Sequence, residues 1–124
     1  MREIKFRGRS SKDNKTWFTG SFVSLDEEAY IEHFDGLRRV MEIYPVAPPT
    51  VGQFTGLSDV DGREIYEGDI VSWGDGTPPT SVRWDEHFAY YVIMESLILS
   101  HACKAVRVIG NVYDNPQLLE AAHD

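Results

Sequence analysis

The stretch VGQFTGLSDVDGREIYEGDIV, at residues 51–71, constrains the fold more than any other part of the sequence. Glycines and acidic or amide residues stand here between short apolar runs. Asp61-Gly62 is the kind of dipeptide that accepts positive φ at the tip of a tight hairpin. Glu67-Gly68-Asp69 is typical of a second turn, whose aspartate can accept hydrogen bonds from nearby backbone N–H groups. The stretch is therefore predicted to hold short strands separated by turns.

A ligand-binding loop is the alternative for the same residues, and their spacing argues against it. A phosphate loop of the Walker type needs a lysine followed by serine or threonine, with a helix behind it, and neither is present. A calcium loop starting at Asp59 would need a ligand at its fifth position and glycine at its sixth. Arg63 and Glu64 occupy these positions. Neither phosphate nor metal binding is predicted here.

The first 49 residues are predicted to form an N-terminal β segment. Residues 3–9 alternate, with apolar side chains on one face and the cations Lys5, Arg7 and Arg9 on the other. This pattern predicts a half-buried strand with a cationic outer face. Residues 16–25 follow as a second strand, which completes an N-terminal hairpin.

The segment before the proline-rich stretch allows two interpretations. Asp26 can cap a short helix, but residues 29–34 also alternate, and Asp35-Gly36 favours a hairpin into residues 37–46. We expect the strand pair. The stretch PVAPPTV is predicted to be an extended connector, which places a boundary between residues 1–49 and residues 50–124.

Residues 50–124 are predicted to form a small barrel or sandwich. Short β-branched and aromatic runs alternate with turn residues, at the spacing that such folds show. Residues 97–105 show no clear period. At the end, Asn115 and Pro116 suit the N-cap and the first position of a short C-terminal helix. The predicted class is therefore mainly β.

Three blocks of the sequence resemble the YopX family of bacteriophage and prophage proteins. They are REIKFRGRS at residues 2–10, TVGQFTGLSDVDGREIYEGDIV at residues 50–71 and VIGNVYDNPQLL at residues 108–119. The middle block is the most specific, and the three together span nearly the whole chain. Residues 77–105 carry no recognisable family pattern.

The resemblance implies an SH3-like β-barrel in the C-terminal part, an accessory N-terminal β segment and a tendency to self-assemble. It also implies expression in the cytoplasm of a bacterial host that carries phage or other mobile DNA. The family has no established biochemical activity, so the resemblance assigns no catalytic, cofactor-binding or metal-binding residues to this sequence.

The charge distribution limits the classes of partner. The net charge is −8, yet residues 1–16 hold six basic and two acidic side chains. The remaining residues hold six basic and 18 acidic side chains, which disfavours nonspecific binding to a phosphate backbone. No apolar run reaches the roughly 18 residues of a transmembrane helix, and no secretory signal is evident. The single cysteine, Cys103, suits a reducing cytoplasm.

The side chains that most often carry chemistry form no convincing constellation. A zinc site from His87, His101 and Cys103 is conceivable if residues 101–103 are a strand, but a buried cysteine with two unrelated histidines is the simpler prediction. No residue orients Cys103 as a nucleophile. The many acidic pairs are expected by chance in so acidic a chain. We therefore predict no metal, no cofactor and no catalytic residue.

Aromatic residues of the C-terminal part are the more suggestive group, because exposed aromatics on a small barrel bind peptides or stack on bases. Alternation in residues 82–91 places Val82 and Trp84 on the core face and Tyr91 on the other face. Tyr91 is therefore predicted to lie at the surface. The candidate interaction surface comprises Arg2, Lys5, Arg7, Arg9, Trp73 and Tyr91.

Two functions remain open at this point. The first is a non-enzymatic module that self-associates into a homo-oligomer and binds a host or phage protein. The second is a nucleic-acid-binding accessory protein that uses the basic N-terminal strand and the barrel aromatics. The acidic body favours the first.

Overall fold

The computed structural model describes residues 3–120, and the chain divides after Phe54 into two compact units. Each unit is built from antiparallel strands, so the prediction of a mainly β protein is confirmed. The predicted division between residues 49 and 50 remains a prediction. Within the described range, no helix is long and apolar enough to cross a membrane.

The first unit is an antiparallel sheet with strand order β4-β3-β2-β1-β5. Its strands are β1 (Phe6–Arg9), β2 (Trp17–Leu25), β3 (Glu28–Asp35), β4 (Val40–Val46) and β5 (Gly52–Ser58), and the end of β5 belongs to the second unit. The predicted strand pair after Asp26 is therefore correct. The proline-rich connector is not extended throughout, because Pro45-Val46 ends β4 and Pro48–Thr50 form a 3-10 turn.

A small core lies on one face of this sheet. Ala29, Ile31 and Val46 are buried there, and Phe6, Phe18 and Val51 pack against them. The backbone of β1 passes close to Val46 at Gly8, where an added Cβ atom would lie 2.8 Å from Cγ2 of Val46. An isolated bridge between Ser10 and Val46 ties the end of β1 to the end of β4.

The second unit contains two three-stranded sheets with the orders β12-β7-β8 and β11-β10-β9, and β6 pairs with the end of β5. The strands are β6 (Glu64–Tyr66), β7 (Asp69–Ser72), β8 (Thr80–Ser81), β9 (Arg83–Asp85), β10 (Tyr90–Ile93), β11 (Leu97–Ile98) and β12 (Arg107–Asn111). No strand pairing among residues 3–120 closes these sheets into a barrel.

The core of the second unit draws side chains from both three-stranded sheets and from β6. Its buried members are Ile65, Val71, Val82, Tyr91, Ile93, Leu99, Ala102, Cys103, Val106 and Val108. The segment without a clear period supplies part of this core as helix α1 (Leu99–Ala102) and a 3-10 turn over Cys103–Ala105. The predicted C-terminal helix is present as α2 (Gln117–Glu120).

Candidate interaction surfaces

The predicted cationic strand is an interior strand of the sheet. β2 and β5 flank β1, so its backbone is not an open edge, and Lys5, Arg7 and Arg9 are half-buried. The Lys5 ammonium lies 3.0 Å from a Glu3 carboxylate oxygen and 4.9 Å from the centre of a phenylalanine ring. Arg7 lies over the indole of Trp17, at 4.8 Å. Arg2 lies outside the described residues.

Trp73 is half-buried against the core of the second unit. Its indole N–H is shielded from solvent and has no hydrogen-bond partner in the described part of the chain. The side chain therefore covers the core, and only part of it remains exposed for contact with another molecule.

The predicted surface position of Tyr91 is wrong, because its side chain is only 7% exposed. Tyr91 pairs across the hairpin with Trp84, and the two rings meet edge to face at 4.8 Å. Four turn residues, 86–89, separate β9 from β10, and Ala89 has a φ of 58°. The alternation therefore restarts in β10, and Tyr91 falls on the core face. Trp84 and Phe88 are the more exposed aromatics here, at 41% and 60%.

Two acidic residues of the stretch 51–71, Asp59 and Asp69, accept hydrogen bonds from the backbone of the protein itself. Asp59 is 1% exposed, and one of its carboxylate oxygens accepts the N–H groups of Asp61 and Arg63, each at 2.9 Å. The second oxygen accepts the N–H of Val108, also at 2.9 Å. Burial alone raises the pKa of Asp59, but the three N–H donors outweigh it and lower the pKa below its ordinary value.

The second predicted turn is stabilised in the same way. A carboxylate oxygen of Asp69 accepts the N–H of Tyr66 at 2.7 Å, and Gly68 between them has a φ of 91°. Gly62, at the tip of the first turn, has a φ of 83°. The prediction of strands and turns in this stretch is confirmed. The carboxylates of Asp59 and Asp69 stabilise the two turns.

The residues considered for a zinc site are not brought together. His101 lies on α1 and Cys103 on the following 3-10 turn, so the strand arrangement considered for them is wrong. His87 lies in the β9–β10 turn, with its ring 4.5 Å from that of Phe88. Among residues 3–120, no group of three His, Cys, Asp or Glu side chains has an arrangement able to hold a metal ion.

A group of exposed apolar side chains in the first unit was not predicted. It lies on the hairpin formed by β3 and β4, and its side chains are between 42% and 98% exposed. We call it the hairpin patch, and it comprises Phe34, Leu37, Val40, Met41 and Ile43. Phe34 and Met41 are cross-strand partners, and Leu37 lies in the connecting turn. An exposed apolar group of this size is typical of an interaction site.

The outer edge of β4 also presents backbone hydrogen-bonding groups. Alternate residues of an antiparallel strand direct both their N–H and their C=O to the same side. The N–H of Ser11 donates to the C=O of Pro45 at 3.2 Å, so Pro45 faces away from β3. Met41 and Ile43 alternate in step with Pro45, so their backbone N–H and C=O groups also point away from β3. Apart from the bridge that joins its C-terminal end to the end of β1, no strand among residues 3–120 pairs with β4 on this side.

The sequence does contain a signal for this patch. In VMEIYPV, apolar residues occupy both faces of the strand, and a one-sided core requires only one of them. A proline at an outward position also marks an edge strand, because it has no N–H to donate. Both signals become informative once the strand order places β4 at the edge.

A family model described as YopX protein matches residues 5–120 of this sequence. Among solved structures, the crystal structure of protein EF1440 from Enterococcus faecalis is similar, with a TM-score of 0.58. The sequences are 17% identical, and the match covers 96% of this chain and 99% of the other. At this identity the likeness concerns the fold alone. No curated protein matches the sequence.

Proposed function

This chain belongs to the YopX family, and from that membership and the hairpin patch we propose that it is a phage-type protein that acts as a self-associating protein-interaction module. It works without catalysis, in the cytoplasm of a bacterial host, and binds a protein of the host or the phage. The hairpin patch is the observation that supports self-association most directly.

The physical argument is the cost of leaving this patch in water. Each of its five side chains exposes on the order of 100 Å² of apolar surface, at about 25 cal/mol per Å². Val40 lies on the opposite face of β4 from Met41 and Ile43, so two copies that meet along β4 cover part of this surface on both faces of the joined sheet. A second copy of the chain is always available to supply such a surface.

For the second unit we propose an SH3-like arrangement of the strands. Support comes from its single core, to which β6, β7, β10 and β12 all contribute buried side chains. Two further hydrogen bonds extend the β7–β8 pairing to Val82, the residue between β8 and β9: the N–H of Gly68 donates to the C=O of Val82, and the N–H of Val82 donates to the C=O of Asp69. Such a unit presents loops and edges on which a partner can bind.

The charge of the two units suggests the chemistry of that partner. Residues 1–54 hold eight basic and eight acidic side chains, whereas residues 55–124 hold four basic and twelve acidic ones. The second unit therefore attracts a basic protein surface and repels a phosphate backbone. Nucleic-acid binding through β1 has less support, because Lys5 is ion-paired and Arg7 packs on Trp17.

The molar mass of the purified chain in solution tests self-association. We expect a defined oligomer at tens of micromolar by light scattering after size exclusion. The double variant Phe34→Asp/Met41→Asp is expected to be monomeric, because it places charges in the patch. Val60→Asp is the matched control, since Val60 is a similarly exposed apolar residue of the second unit. A wild-type chain that remains monomeric at this concentration overturns the proposal.

Capture of partners from host lysate, with and without nuclease, separates the two kinds of partner. If the same proteins are captured in both samples, a protein partner is supported. If everything captured disappears after nuclease treatment, the nucleic-acid alternative replaces the protein-interaction proposal, and β1 becomes the surface to mutate.

A further inference from the structure

We propose that two copies of this chain associate by antiparallel pairing of their β4 strands, with Glu42 of one copy directly opposite Glu42 of the other. The inference rests on the proposed self-association and specifies its geometry. It follows from three features of β4: its length, the direction of its backbone groups and the residues that limit it at each end.

β4 is the most suitable edge strand in the described part of the chain. It has seven residues in continuous register with β3. The edge strands β8, β9 and β11 have only two or three residues each, and the pairing of β12 shifts register between Val108 and Gly110. Long, regular and apolar edges are the ones that pair with another chain.

The two ends of β4 restrict where a second copy can pair. At its C-terminal end, the outward carbonyl of Pro45 already accepts the N–H of Ser11, and the N–H of Ala47 donates to Arg9. At its N-terminal end, Arg39 has a φ of 56°, which is incompatible with an extended ladder. Within residues 3–120, the outward backbone groups of β4 left without a partner are therefore the N–H and C=O of Met41 and Ile43.

One register satisfies all of these groups. With Glu42 on the two-fold axis, Met41 of each copy lies opposite Ile43 of the other and exchanges both hydrogen bonds with it. An axis through Met41 would pair Ile43 with Arg39, whose backbone is left-handed. An axis through Ile43 would pair Met41 with Pro45, which has no N–H to donate.

The side chains suit the same register. Met41 and Ile43 of opposite copies meet on one face of the joined sheet, next to Phe34. On the other face, Val40 of each copy lies opposite Tyr44 of the other. The contact is therefore apolar on both faces except at the axis, where the two Glu42 side chains meet.

The meeting of two glutamates is compensated by neighbouring groups within each copy. The Arg38 guanidinium lies 2.9 Å from a Glu42 carboxylate oxygen, and the Tyr44 hydroxyl donates to the other oxygen. Arg38 also binds Asp35, at 2.8 Å, and His33 lies opposite Glu42 across β3 and β4. Each glutamate thus reaches the axis with its charge partly neutralised by an arginine.

Disulfide trapping tests this register. Residues at a non-hydrogen-bonded antiparallel pair have Cα atoms about 4.5 Å apart, within the range for a disulfide. Glu42→Cys is therefore expected to form a covalent dimer on mild oxidation. Met41→Cys is the register control, because two copies of position 41 are separated along the strands. Val60→Cys controls for random collision, and the wild type controls for the buried Cys103.

Amide hydrogen exchange of the unmodified chain provides a second, independent test. The amides of Met41 and Ile43 are expected to exchange at least about tenfold more slowly in the dimer than at concentrations where the chain is monomeric. The register is overturned, while self-association stands, if a wild-type dimer leaves these amides unprotected or if Met41→Cys is trapped better than Glu42→Cys. A monomeric wild type overturns both proposals.

Discussion

The carboxylate of Asp59 accepts the backbone N–H of Val108 at 2.9 Å, across 49 positions of the chain. The same carboxylate organises the turn from Asp59 to Arg63, so a single buried charge joins the β5–β6 turn to β12. Charged acceptors with several N–H donors form strong hydrogen bonds, and removal of such an acceptor leaves buried donors unsatisfied.

Asp59→Asn is expected to destabilise the protein by roughly 2–4 kcal/mol. The amide has one oxygen, so its NH₂ group must face at least one backbone N–H that now donates to a carboxylate. Urea denaturation followed by tryptophan fluorescence measures the change. Asp61→Asn is the control, since it removes only an exposed ion pair with Arg107, worth at most about 1 kcal/mol. Equal losses for the two variants would contradict the role assigned to Asp59.

The contribution of Asp59 is also expected to depend on pH. Its pKa in the folded protein is lowered, so the carboxylate stabilises the fold above its unfolded pKa of about 4. This stabilisation is lost as the pH falls through the folded pKa. The difference in unfolding free energy between wild type and Asp59→Asn should therefore shrink between pH 5 and pH 3. A constant difference over this range would show that Asp59 titrates alike in both states.

Gly110→Ala is expected to destabilise the protein by roughly 1–3 kcal/mol, because the new methyl group would be overpacked. A Cβ atom at this position would lie 2.4 Å from Oδ1 of Asn115, which accepts the N–H of Asn111. Thermal denaturation measures the effect. Gly36→Ala is the control, because a Cβ atom there would meet nothing within 4 Å.

Asn115 itself provides the test of this mechanism. In an Asn115→Ala background the clash is removed, so Gly110→Ala should cost less than it does in the wild type. An unchanged cost would assign the effect of Gly110→Ala to another cause. The contact also corrects the role predicted for Asn115, which was to cap the C-terminal helix. Its side-chain oxygen accepts the N–H of Asn111, a residue that precedes this helix.

Turns were predictable from the sequence because their chemistry is local. The positive φ of Gly62 and the bond from Tyr66 N–H to Asp69 depend on residues only a few positions apart. The hairpin across Asp35-Gly36 was predictable for the same reason, since the Asp35 carboxylate accepts the N–H groups of Leu37 and Arg38.

Exposure was harder to predict because it depends on which strands become neighbours. The burial of Tyr91 follows from the length of the turn before it, and alternation counted through the turn assigns the wrong face. The bond from Val108 to Asp59 joins distant segments and leaves no local pattern. The hairpin patch, likewise, is exposed only because β4 lies at the edge of the sheet.

Glu27→Gly is expected to stabilise the protein by about 1 kcal/mol. Asp26 and Glu27 have φ values of 50° and 68°, and Leu25 pairs with Glu28 across them. This two-residue turn places non-glycine residues in left-handed backbone, where glycine is favoured. Glu28→Gly is the matched control: it removes the same charge but lies within β3, where glycine should cost roughly 0.5–1 kcal/mol. Thermal denaturation should move the two midpoints in opposite directions, and a lowered midpoint for Glu27→Gly would show that relieved backbone strain does not offset the flexibility that glycine adds to the unfolded chain.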